Sequence, residues 1–179
     1  MSSLTPDETI LGLLAVQAQH GYDLLECFRS NHQLGRVWYL STSQIYAVLK
    51  RLERQGWIVG HEVASEVAPT RTEYKLTKTG EKHLYDWLND PQPSASIRRI
   101  RVEFLSRLYI LRQLNIPTNT VVGYQREACT THYAHLVSER DNTEHGIDVL
   151  ALELQISQLD AVLRWIERCE HVTSEPDNS

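Results

Sequence analysis

Ser41-Thr42-Ser43-Gln44-Ile45-Tyr46-Ala47-Val48-Leu49-Lys50-Arg51-Leu52-Glu53-Arg54-Gln55-Gly56 is the stretch whose reading decides the fold. Ser41 and Gln44 stand at capping-box spacing, in which the N-cap hydroxyl accepts from the third helical N–H and the third side chain reaches back. Ile45, Val48, Leu49 and Leu52 follow at i, i+3, i+4 and i+7, one apolar face at helical period. Gly56 is placed to take the left-handed conformation that closes such a helix, so a helix ending at Gln55 is predicted. Opposite the apolar face lie Ser43, Ala47, Lys50 and Arg54, flanked by Gln44 and Arg51 on one side and Tyr46 on the other. Hydrogen-bonding groups come first, a small residue sits in the middle, and three cations stand toward the C-terminal end. That order suits a helix entering a major groove N-terminus first. The chain of 179 residues carries a net charge of -5, yet this helix sets Lys50, Arg51 and Arg54 against Glu53 alone. Where the cations sit matters more for phosphate contact than their sum.

Upstream, Thr5-Pro6-Asp7-Glu8 offers an N-cap threonine, a proline at the first helical position and a glutamate to complete a second capping box. Ile10, Leu11, Leu13, Leu14 and Val16 follow, predicting a first helix to about Gln19. His20-Gly21 breaks it, and Tyr22, Leu24, Leu25 and Phe28 predict a second helix ending before Gly35. Downstream, the period changes. Trp57 to Val63 and the alternating Thr70 to Leu76 read as a two-stranded hairpin, with Glu66 near its tip and Arg71 and Lys75 as its cations. A threonine cap at Thr77 opens a helix over Lys78 to Asn89, and Pro91-Gln92-Pro93-Ser94 reads as a linker.

The rest is expected to be all-helical: Ser96 to Leu114, Thr118 to about Asp141, and Gly146 to about His171. Thr173 to Ser179 holds no core-forming residue and reads as a frayed tail. The expected fold is therefore mainly α. A winged helix-turn-helix domain with a two-stranded hairpin wing spans residues 1–90, and an all-helical dimerisation and effector-binding region spans 96–172.

Three cations on a helix ordinarily do no more than solvate its outer face. The order of elements separates this case, because a helix-turn-helix followed at once by a hairpin lets the hairpin serve as a wing against phosphates or the minor groove. Tyr46 has two readings, a hydroxyl offered to a phosphate or a ring packed under the wing. Glu53 reads as a contact within the domain.

Four segments together resemble the PadR-like transcriptional regulators. They are Ile10-Leu11-Gly12-Leu13-Leu14, His20-Gly21-Tyr22-Asp23-Leu24, Ser43-Gln44-Ile45-Tyr46-x-x-Leu49-x-Arg51-Leu52-Glu53-x-x-Gly56-Trp57-Ile58, and Tyr74-x-Leu76-Thr77-x-x-Gly80. The resemblance covers about residues 8–89. It implies a dimeric winged helix-turn-helix repressor that binds a palindromic double-stranded operator and pairs through its C-terminal helices. It departs from the family at Pro69-Thr70-Arg71-Thr72, where the family wing often carries more basic residues. A C-terminal region of this length resembles that of the phenolic-acid sensors, which implies a small aromatic effector bound between the winged domain and the C-terminal helices.

In the C-terminal half, Val149, Leu152, Ile156, Leu159, Leu163 and Ile166 recur in steps of three and four, the seam of a coiled coil. Ile147, Leu154, Val162, Trp165 and Cys169 form a second apolar stripe on the same helix. Two apolar faces need two partners, so a homodimer through the seam is expected, against the alternative of a bundle closed within one chain. Trp38, Trp57, Trp87 and Trp165 either line an aromatic pocket or belong to the core, and Trp38 and Trp57 are placed to pack against the recognition helix. Arg98, Arg99, Arg101, Arg107 and Arg112 form a basic cluster for which ion pairs with the acidic stretch from Asp141 to Glu153 of a partner copy are the preferred reading.

Other function classes find little purchase. No G-x-S-x-G, phosphate-cradling glycine loop or H-E-x-x-H occurs, and an enzyme is not expected. Cys27, Cys129 and Cys169 are widely spaced and form no C-x-x-C pair; reduced structural thiols are expected. His132 and His135 are a close pair, with Cys129 a turn earlier, but no carboxylate completes a ligand set, and neither metal nor cofactor is expected. No apolar run approaches the ~18 residues of a spanning helix and no signal peptide opens the chain, so the cytoplasm is the expected compartment, without a membrane partner. The main competing function is a winged-helix module whose third helix binds a protein and never meets DNA.

Overall fold

A computed structural model describes residues 4–63 and 71–172, with side chains to residue 169. Glu66, the Pro69-Thr70 stretch and the tail from Thr173 lie outside the described residues.

The first helix, α1 (Asp7–Val16), differs from expectation at both ends. Pro6 rather than Thr5 is its N-cap, with no side-chain cap bond; the Pro6 carbonyl accepts from Ile10 at 2.9 Å. The helix stops at Val16 because the chain turns extended at Gln17 and forms a short strand, β1 (Gln19–His20). Helix α2 (Gly21–Arg29) follows, then a 3-10 turn at Gln33–Arg36.

Helix α3 (Thr42–Arg54) is built as its sequence dictates. The Ser41 hydroxyl accepts from the Gln44 N–H, and the Gln44 side chain accepts from the Ser41 N–H at 2.8 Å, closing the capping box. Ile45, Val48, Leu49 and Leu52 are buried. At the other end, Gly56 takes φ +72. The Gly56 N–H donates to Glu53 at 2.9 Å and the Trp57 N–H to Leu52 at 3.0 Å, the paired bonds of a Schellman cap.

Strands β2 (Ile58–Val63) and β3 (Arg71–Leu76) pair antiparallel, with Ile58 opposite Leu76 and Val63 opposite Arg71. These two strands are the expected hairpin, and among the described residues the sheet gains a third. β1 pairs with the other edge of β3, Gln19 opposite Tyr74 and His20 opposite Glu73, giving the order β1-β3-β2. Helix α4 (Lys78–Leu88) opens on Thr77, whose hydroxyl accepts from the Gly80 N–H at 3.1 Å and donates to the Gly56 carbonyl at 2.7 Å. The second bond ties the end of α3 to the start of α4.

The run expected as one helix from Ser96 to Leu114 is divided by a π turn. It comprises α5 (Ile97–Arg99), the π turn Ile100–Phe104, and α6 (Leu105–Gln113). Two compact units divide at the same point: residues 1–89 with 105–116, and residues 90–104 with 117–179. Helix α6 thus belongs with the winged unit, whereas the sequence placed all of 96–172 in the C-terminal region. Within the winged unit, α1 packs against α4 and α6, and Ile10, Leu11, Leu24, Leu49, Leu52, Leu84, Leu88 and Ile110 are fully buried. Each such side chain contributes about 2 kcal/mol of transfer free energy.

The second unit is dominated by α7 (Asn119–Asp141) and α8 (Ile147–Val172), which pack along one another as a helical hairpin. This overturns the assignment of the seam to a partner copy. Leu152, Ile156, Leu159 and Ile166 are at most 8% exposed, and Val149 and Leu163 are partly buried, all within one chain. The cover comes from α7, a helix long enough to bury the row along much of its length, with Val121, Val122, Gln125, Cys129 and Leu136 buried on its side. What stays open is the start of the second stripe, Ile147 and Leu154, with Leu150 beside them; the three are 77%, 60% and 61% exposed.

The tryptophans have interior partners. Trp38 Nε1 donates to Ser106 Oγ at 2.8 Å, Trp57 stacks on His83 at 3.7 Å between centroids, and Arg107 lies over Trp87 at 5.0 Å. Trp165 meets Phe104 edge-on at 5.9 Å. Trp38 thus braces α6 rather than the recognition helix. The basic cluster does not act as one surface: Arg107 is buried, and Arg99 pairs with Glu103 one turn on at 2.6 Å. Among the described residues, no helix is long and apolar enough to cross a membrane.

Candidate nucleic-acid interface

The solvent face of α3 is a continuous polar strip. Ser43, Gln44, Tyr46, Ala47, Lys50 and Arg54 are all exposed. Lys50 makes no ion pair among the described residues, and Arg54 reaches only the Lys50 carbonyl, at 3.4 Å. Two long cations thus stand unneutralised on the same side, one turn apart. Arg29 of α2 adds a cation at the helix start, donating to Thr42 Oγ1 at 2.8 Å. Its position follows from the α2–α3 packing, which no local sequence pattern reveals.

Two of the expected contacts are otherwise engaged. Arg51 turns inward: Nε donates to Asp7 Oδ2 at 2.9 Å and a terminal N–H to Oδ1 of the same carboxylate. The pair holds the guanidinium even further above its ordinary value, chiefly through the hydrogen bond. Arg51 is therefore a tie between α3 and α1, a correction to its reading as a DNA contact. It flanks rather than faces the polar strip, and Asp7, only 6% exposed, requires a donor. Gln44 has its side-chain oxygen on the Ser41 N–H, so the amide group of the same side chain is what remains to face outward. Ser43 shares a 3.0 Å hydroxyl contact with Ser41.

Glu53 behaves as the sequence suggested. Its Oε1 accepts from the Gly60 N–H at 3.0 Å and pins α3 to the wing. On the wing, Arg71 is exposed, while Lys75 is paired with Glu73 at 3.1 Å.

A cleft of about 470 Å³ opens beside α3, lined by His20, Tyr22, Tyr46, Arg71, Thr72 and Tyr74. The Tyr46 ring lies against Gly21, where a Cβ would come within 2.9 Å of it, so the glycine is what lets α2 start this close to α3. Tyr46 is nonetheless 47% exposed, which fits neither a ring wholly under the wing nor one free of it. Burial, followed by the nearby Glu53 carboxylate, pushes the Tyr74 phenol above its ordinary value and keeps it a hydrogen-bond donor. His20 and Tyr22 were visible in the sequence only as part of a motif, not as lining groups.

The match to a known family falls within this unit. The family model described as "Transcriptional regulator PadR-like family" matches residues 10–86. Over residues 10–86 this chain is similar to the PadR-like regulators. Among curated relatives, the negative transcriptional regulator PadR of Bacillus subtilis is 33% identical over 106 residues, covering 59% of this chain and 56% of that protein. A probable transcriptional regulator of Mycobacterium tuberculosis is 29% identical over 82 residues, covering 46% of this chain and 42% of its own. The chain spans about half the length of the curated relatives it matches. Among solved structures, Bacillus subtilis PadR in complex with operator DNA aligns with a TM-score of 0.47 at 23% identity, over 94% of this chain and 98% of that one. The matched stretch contains every element that lines the polar strip and the cleft, from β1 to β3.

Proposed function

We propose that this protein is a sequence-specific DNA-binding transcriptional regulator, a repressor, that reads a palindromic operator as a homodimer. The observation that carries the reading is the solvent face of α3 within the stretch similar to the PadR-like regulators. Lys50 and Arg54 stand exposed behind Ser43 and Gln44, unneutralised among the described residues, on a protein whose net charge is negative. Lysine and arginine at the rear of such a helix meet phosphates, and the serine and glutamine at its front meet base edges. Arg71 extends the positive strip onto the wing. The name of the Bacillus relative, a negative regulator, supports repression as the direction of control.

The dimer is supported by the exposed row Ile147, Leu150 and Leu154, one helical face left without cover at the start of α8. Release by a small aromatic effector belongs to the same reading through the family resemblance. The compartment that goes with it is the cytoplasm.

Selection of bound duplexes from a random DNA pool tests the function. An inverted repeat is expected. Recovery of no motif, with binding to a protein partner insensitive to duplex DNA, supports the interaction module instead.

A further inference from the structure

We infer that the cleft beside α3 seats one backbone phosphate of the operator, with His20 as a donor only in its imidazolium form, so that DNA binding takes up protons. The inference rests on the DNA-binding reading above and adds a ligand group and a pH dependence to it.

His20 Nδ1 lies 3.1 Å from the Thr72 carbonyl oxygen. A carbonyl only accepts, so Nδ1 carries the hydrogen. In the neutral ring Nε2 is then a bare lone pair, and a phosphodiester offers only acceptors; the neutral ring has nothing to give it. The imidazolium has a second N–H and a positive charge, and both favour the anion. The β1–β3 pairing therefore fixes which nitrogen is left to change when the ring gains a proton.

The rest of the cleft is built for the same ligand. Tyr22 is 57% exposed and Tyr46 47%, and neither hydroxyl has a hydrogen-bond partner among the described residues. The Arg71 guanidinium has no carboxylate partner there either. Three phenols, a guanidinium and an imidazole around one opening are anion chemistry. Tyr46 belongs both to the cleft and to the flank of α3, so a strand whose bases face α3 passes its backbone by this opening.

The charged groups around His20 are of both signs. On β3 the residue opposite is Glu73, already paired with Lys75 at 3.1 Å, with Arg71 and the Tyr74 phenol on the same strand. On α2 the first turn carries Tyr22 and Asp23, and α3 contributes Tyr46, with Glu53 held on Gly60. A phosphate in the cleft would neutralise Arg71 and accept from the second ring N–H of His20 together, which couples the proton to the ligand.

The test is operator affinity at constant ionic strength between about pH 5.5 and pH 8, the range in which imidazoles titrate, for wild type, His20→Gln and Arg71→Gln. Wild-type affinity is expected to fall several-fold as pH rises. His20→Gln should bind with a flat profile near the high-pH wild-type value. Arg71→Gln should bind more weakly at every pH, with the salt dependence reduced by about one unit of slope. If His20→Gln retains the full wild-type pH dependence, or the wild type binds its operator equally at all these pH values, the inference is overturned while the DNA-binding reading stands. If the wild type binds no duplex at any pH, both fall together. Calorimetry on the wild type alone, in buffers of differing ionisation enthalpy, gives a readout free of any folding defect in the variant: net proton uptake on operator binding near pH 7 is expected, and none would overturn the inference.

Discussion

Arg51 and Asp7, 44 residues apart in sequence, are joined by two hydrogen bonds that fasten the recognition helix to the first helix of the domain. The carboxylate is almost wholly buried and Arg51 is its donor. A cation on the flank of α3 thus serves stability rather than binding.

Replacing Arg51 with methionine keeps most of the packing but strands a buried carboxylate. Arg51→Met is expected to lower unfolding free energy by about 2 kcal/mol, the cost of leaving such a group without its donor. Denaturant titration measures it. A change no larger than that of Lys50→Ala would show that the pair does not hold α3 in place.

Gln44 is expected to serve as cap first and reader second. Gln44→Glu keeps an oxygen for the Ser41 N–H but places an anion against the groove. Thermal stability should be unchanged, and affinity for the selected operator should fall or its base preference shift. Equal affinity and the same preference at every position would make Gln44 a cap alone.

The recognition helix was legible because its signals are local: a capping box, four apolar residues at helical spacing and a closing glycine all lie between Ser41 and Gly56. Residues that act through distant partners were not. Gln19-His20 is too short to show any period and becomes a strand only because β3 has a free edge. Arg51 looks like its neighbours until α1 supplies Asp7. The seam from Val149 to Ile166 correctly announced a covered face, but periodicity does not say who covers it, and α7 of the same chain does so. The three lining groups His20, Tyr22 and Arg71 come from three elements, and only tertiary structure brings them to one cleft.

That difference in cover separates two sets of leucines. Leu150→Glu with Leu154→Glu charges the exposed row and should convert the proposed dimer to a folded monomer, seen by sedimentation velocity with helicity retained. Leu159→Glu puts a charge at a position 1% exposed and should unfold the second unit instead. A dimer that survives the Leu150 and Leu154 changes would place the interface elsewhere.

Cys129 is fully buried, and burial pushes its thiol above the ordinary range despite the opposing hydrogen bond from Gln125. It should resist alkylation in the native protein and react once the chain is unfolded. Because the folded thiol holds its proton to higher pH than the unfolded one, its contribution to stability is complete below about pH 8.5 and is lost as pH rises further. Stability measured upward from pH 8 should therefore decline less steeply in Cys129→Ala, after allowing for that variant's lower starting value. An identical slope would show that this thiol does not titrate in the transition.

A solvent face of α3 that meets DNA reports itself in the salt dependence of binding. The selected operator is titrated with wild type and with the Lys50→Ala, Arg54→Ala double variant across a series of salt concentrations. Neither side chain lies on the apolar face, so the melting temperature should scarcely move. Affinity should fall, and the slope of log affinity against log salt should flatten by about two units, one for each phosphate contact removed. If the double variant binds as tightly as wild type with the same slope, α3 is not the surface that meets DNA.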